Sequence, residues 1–122
     1  MATTSNQLWQ ILEALVIKTQ NRETVWEADP DLNFAFRTSI GGYLARIESV
    51  DGDERPPFRL AVLEQQDGSV VDVGETARAR ESSHAATMRR NGQLAELYHE
   101  ARRQALGINV KLDQVARELG IE

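Results

Sequence analysis

The sequence predicts an α+β fold: an N-terminal helix, a four-stranded antiparallel β-meander, and a C-terminal helical pair packed on one sheet face. Three observations lead there. Apolar residues recur every three or four positions over residues 8–19 and again over 94–119, the period of a helix with one buried stripe. Between these segments apolar and polar residues alternate in short runs, the period of a half-buried strand. Short turns rich in Gly, Pro and Asp separate the runs, so neighbouring strands are antiparallel and the helices cover one face of their sheet.

In the first helix Leu8, Ile11, Leu12, Leu15 and Thr19 make the stripe, and Val16 widens it. Ser5 or Thr4 offers a hydroxyl to cap the first turn, and the polar run 18–23 ends the pattern. Thr24 to Ala28 is β-branched and aromatic and reads as a short peripheral strand, closed by Asp29-Pro30-Asp31. Phe34, Phe36 and Ile40 then share one face of an extended chain, with Arg37 and Ser39 on the other. Gly41-Gly42 supplies the positive φ angles of a tight hairpin, and the return strand 43–50 sets Tyr43, Ala45 and Ile47 against Leu44, Arg46 and Glu48.

The prolines of the loop 51–57 stop that strand, 58–64 resumes β character, and Gln66-Asp67-Gly68 turns the chain into a strand over 69–73. Residues 75–92 are rich in Ala and Arg but poor in large apolar side chains. They read either as a helix with a polar surface or as a mobile or inserted stretch. Leu94, Leu97, Tyr98, Ala101 and Ala105 restore a clear helical stripe, and Gly107 suits a left-handed C-cap. Asn109 is the expected N-cap of a last helix carrying Ile108, Leu112, Val115 and Leu119.

The whole chain, 1–122, is expected to form one domain, since 122 residues with 41% hydrophobic and 27% charged side chains suit a single core. With no cysteine and only two histidines, disulfides, thiolate zinc sites and cysteine nucleophiles are excluded. The N-terminal residues have no basic lead into a continuous apolar run, so a cytoplasmic protein with no signal peptide, membrane span or membrane contact is expected. Residues 1–75 hold 6 Lys+Arg against 13 Asp+Glu, whereas residues 76–122 hold 8 against 6. The two parts are expected to be electrostatically complementary; packing of the helical end beside an acidic sheet is the expected reason for the asymmetry, and a partner-binding role is the alternative.

Candidate chemistry is sparse. Ser82-Ser83-His84 offers hydroxyls next to a base, but catalysis needs groups converging in space with a third to orient them. His99 falls on a helix flank away from the apolar stripe. The acids Glu27, Asp29 and Asp31, and Asp51, Asp53 and Glu54, have a cation-loop composition, yet an EF-hand reading from Asp51 puts Pro56 where glycine is required and Val62 where the bidentate Glu belongs. Turn chemistry explains them. No catalytic residue, metal site or cofactor is expected, and the chain is not expected to be an enzyme.

Arginines concentrate at Arg78, Arg80, Arg89, Arg90, Arg102 and Arg103, the side chain best suited to bidentate phosphate or carboxylate recognition. Trp9 and Trp26 are expected in or at the edge of the core. Of the two, Trp26 is the better candidate for a partner contact because it stands on a peripheral strand. Leu44 and Leu63 are expected to place a modest apolar patch on the helix-free face of the sheet.

The pattern Leu97-Tyr98-x-x-Ala101-Arg102-Arg103-Gln-Ala105-Leu-Gly107, followed by Leu112-x-x-Val115 and Leu119, resembles the C-terminal helical pair of a loose set of small bacterial α+β proteins of unknown role. The resemblance implies the same fold and a bacterial origin, and no activity. The function expected from all of this is a non-enzymatic protein-interaction or regulatory module. Its contact residues are drawn from Trp26, Leu44, Arg89, Arg90, Arg102 and Arg103, and self-association is among the expected arrangements. The alternative is a nucleic-acid-binding protein using the arginine-rich region 78–103.

Overall fold

Helix α1 (Asn6–Gln20) buries Leu8, Leu12, Leu15, Val16 and Thr19 on one side. The computed structural model, which describes residues 6–77 and 85–121, continues with strands β1 (Glu27–Ala28), β2 (Ala35–Ile40), β3 (Tyr43–Ser49), β4 (Phe58–Glu64) and β5 (Val70–Glu75), and with helices α2 (Ala85–Ala105) and α3 (Ile108–Glu118). The sheet is antiparallel throughout, in the order β1-β2-β3-β4-β5. It is therefore five-stranded rather than four-stranded. The stretch read as a peripheral strand over 24–28 contributes only Glu27 and Ala28, which pair with Arg37 and Phe36 at the sheet edge.

One face of the sheet meets the helices. Phe36, Ala45, Ile47, Phe58, Leu60 and Val62 point there and join Leu94, Leu97, Tyr98 and Ala101 of α2 and the α1 stripe in a single core. Each such large apolar side chain contributes roughly 1.5–3 kcal/mol by leaving water. Helix α2 lies across β1 to β4, and α1 reaches β5. The two helices run side by side in the same sense, Trp9 beside Arg90 at one end and Thr19 beside Gln104 at the other. At Gly74 a side chain would not fit: a Cβ there would stand 2.8 Å from both Leu8 Cδ2 and Trp9 Cη2. That glycine is the point where α1 touches the sheet.

Several local expectations are corrected. Ile11 is exposed, so the α1 stripe is narrower than its sequence period allows. Phe34 is outside β2, at φ 57, and is exposed with its ring against Gly52. Of the Gly41-Gly42 pair only Gly41 takes a positive φ, +59. Strand β5 runs on to Glu75, with an irregularity opposite Val62 and Leu63. Residues 85–92 are the first turns of α2. Asn109 lies within α3 rather than before it, and the N-cap is Gly107 at φ 62, with no side-chain cap. Of the C-terminal pair, α2 carries buried residues and α3 has none. The expected caps Thr4 and Ser5 fall outside the described residues.

Candidate functional site

A polar cluster on the described surface joins the loop after β3 to α2. The Ser49 hydroxyl accepts the amide of Glu54 at 3.0 Å, and Glu54 itself holds a positive φ of 62. Its carboxylate accepts Arg102 Nε at 2.7 Å and, at a long 3.4 Å, the Tyr98 hydroxyl. Tyr98 is fully buried, stacked on Phe58 at 4.8 Å and set edge-on to Phe36 at 5.5 Å. Loss of water pushes its phenol up to about 12, the Glu54 charge and hydrogen bond add to the rise, and Arg102 opposes it. The cluster closes a loop over the core and brings no nucleophile to a base. His99 is exposed beside it, its ring edge-on to Phe58 and Tyr98.

The acidic loops use their oxygens on turn amides. Asp29 Oδ1 accepts the amides of Asp31 and Leu32 at 2.8 and 3.0 Å, and Asp53 Oδ1 accepts that of Arg55 at 3.0 Å. Among the described residues no group of three or more His, Asp or Glu side chains is placed to hold a metal ion. No helix among them is long and apolar enough to cross a membrane.

The arginines do not converge. Arg90 lies over the Trp9 ring, 5.1 Å from its centroid, an attraction of the guanidinium charge to the ring face. Arg102 is tied to Glu54, and Arg103 Nη2 donates to Asn109 Oδ1 at 2.9 Å. Arg89 is exposed and lines a shallow concavity with Arg90, Asn6, Gln10, Glu13 and Gln93. Helical geometry sets Arg90 and Arg102 about 120° apart around α2 and about 18 Å apart along it. Arg78, Arg80 and the Ser82-Ser83-His84 run lie outside the described residues.

Trp26 is in the core at 3% exposure. Its indole N–H donates to Thr19 Oγ1 at 3.0 Å, and its backbone amide to Gln104 Oε1 at 3.3 Å. Trp26 precedes the two-residue edge strand and its ring is buried, so no ring face remains for a partner. Leu44 does stand on the helix-free face. Three cross-strand rows occupy that face: Leu44, Leu63 and Val70; Arg46, Ala61 and Val73; Glu48, Arg59 and Glu75. Arg59 binds Glu75 at 2.6 Å and Glu48 at 3.4 Å. In the apolar row Leu63 is 6% exposed and Leu44 half-buried, so the accessible apolar surface is mainly Val70 and the neighbouring Val73.

A larger apolar surface lies on α3. Leu112 and Val115 are each 53% exposed and Leu119 beyond them 71%. Ile108 is half-buried at the junction with α2. Their spacing predicts a helix packed on the sheet face, and spacing alone carries no signal to the contrary. Set against protein-family models, curated proteins and solved structures, the chain matches none of them. The fold and surface define an α+β domain with one covered and one uncovered amphipathic helix at its C-terminal end.

Proposed function

We propose that the chain is a non-enzymatic protein-interaction module, of the regulatory or scaffolding kind, whose contact element is α3. One observation carries this reading: an 11-residue helix with an apolar stripe has no buried residue. Isolated helices shorter than roughly 12–15 residues are marginal in water, and an apolar face of this kind gains its stability by being covered. The helix-free sheet face adds a smaller apolar area beside charged rows. The nucleic-acid alternative receives less support, because Arg90, Arg102 and Arg103 already hold partners within the domain and the chain is acidic overall, at −5.

The test compares the wild type with Leu112→Glu as tagged baits in host lysate, with and without nuclease. The expected result is a stoichiometric protein that survives nuclease and is lost with Leu112→Glu, while the melting temperature of the bait is unchanged. Recovery of nucleic acid that nuclease removes, equal for both baits, favours the arginine-rich region instead.

A further inference from the structure

We propose that α3 pairs with α3 of a second copy of this chain, the two helices running antiparallel about a two-fold axis. This rests on the reading of α3 as the contact element and names its partner. Ile108, Leu112, Val115 and Leu119 follow one another at spacings of four, three and four, the spacing of a heptad seam. Such a seam is complementary to another of its kind, and an isologous contact requires only that one surface fit itself.

The residues flanking the seam set the orientation. Lys111 and Glu118 stand on one flank, Asn109 and Ala116 on the other. Antiparallel pairing that sets Leu112 against Val115 of the second copy also sets Ile108 against its Leu119. In that register Lys111 faces Glu118 of the second copy, and the two-fold axis repeats the pair with roles exchanged. The opposite flank sets Asn109, which accepts Arg103 of its own chain at 2.9 Å, against Ala116, and α3 itself places no charged residue there. A parallel pair would put Lys111 beside Ala116, with no opposite charge. Four apolar layers fall short of the about 800 Å² per partner of a standard stable interface, so the pair is expected to be weak and in rapid exchange with the monomer.

Sedimentation equilibrium of the full chain from about 1 μM to about 1 mM tests this, with circular dichroism confirming that each variant is folded. The wild type is expected to pass reversibly from monomer to dimer, and Leu112→Glu to remain monomeric. Lys111→Glu and Glu118→Lys each place like charges across both pairs and are expected to weaken the dimer about tenfold. Mixing those two variants restores wild-type affinity, because their heterodimer opposes unlike charges at both positions.

Three results overturn the proposal: a wild type monomeric throughout, a Leu112→Glu variant that still dimerises, or a mixture no tighter than its components. A monomeric wild type also separates the two readings. If Leu112→Glu still abolishes protein capture from lysate, only self-pairing falls; if it changes nothing there, the contact role of α3 falls with it.

Discussion

Leu94, Leu97, Tyr98 and Ala101 on α2 are each 0% exposed, whereas Leu112, Val115 and Leu119 repeat the same spacing a few residues on and stand in solvent. The two stretches share a helical period, and that period does not say which of them is covered. They differ in where the chain carries them. Helix α2 crosses four strands and fills the sheet face beside α1. Gly107, at φ 62, then turns the chain so that α3 leaves the sheet. Amphipathicity reports that a face is apolar; it says nothing about which surface covers it.

The comparison is broken most sharply by truncating both helices at matched positions. Leu94→Ala in α2 is expected to cost about 2–5 kcal/mol, through lost burial and the cavity left behind, read by urea denaturation at low protein concentration. Leu112→Ala in α3 is expected to cost less than about 0.5 kcal/mol under the same conditions. Equal losses would show that α3 is part of the core. The next effect concerns how tightly the covered side is packed. Gly74→Val forces a side chain into Leu8 and Trp9, with an expected loss of roughly 1–3 kcal/mol. Gly42→Ala, where a Cβ meets nothing within 4 Å, is the matched control and is expected to cost far less.

A smaller effect belongs to the polar latch on α2. The Glu54 and Arg102 side chains are about one-third exposed, so Glu54→Gln is expected to lower stability by less than about 1 kcal/mol, and less again at high salt. The readout specific to the latch is faster amide exchange over residues 50–57 with α2 unchanged. A global loss of several kcal/mol would mean that Glu54 does more than hold the loop.

How much of this was legible in the sequence follows the physics of each signal. The α1 and α2 stripes, the Gly41-Gly42 hairpin and the 58–64 strand announce themselves by local periodicity and turn chemistry, and all are present. Trp26 was harder to place: next to the edge strand rather than on it, the residue still turns its large ring into the core, where Thr19 supplies the acceptor its N–H needs. Gly74 carries no local signal, because only packing against Leu8 and Trp9 reveals why a side chain is forbidden there. The exposure of α3 was invisible for the reason already given. The Glu54, Tyr98 and Arg102 cluster joins residues 44 to 48 positions apart, which no short-range pattern can register.

That cluster also yields a prediction whose effect at neutral pH is small. Tyr98→Phe removes a hydroxyl whose 3.4 Å contact with Glu54 is a weak hydrogen bond, and the ring keeps its stacking on Phe58, so the loss is expected to be below about 1 kcal/mol. Alkaline pH separates the two proteins. The phenol ionises near 10 in the unfolded chain and near 12 in the folded one, chiefly because burial disfavours the phenolate. Its stabilising contribution is complete below pH 10 and is lost as pH rises through 12, since the unfolded state releases the proton first. Wild-type stability should therefore fall more steeply than that of Tyr98→Phe between pH 10 and 12, in denaturation curves taken at each pH. Parallel curves for the two proteins would show that the hydroxyl meets water, and that α2 is less completely covered than its apolar residues indicate.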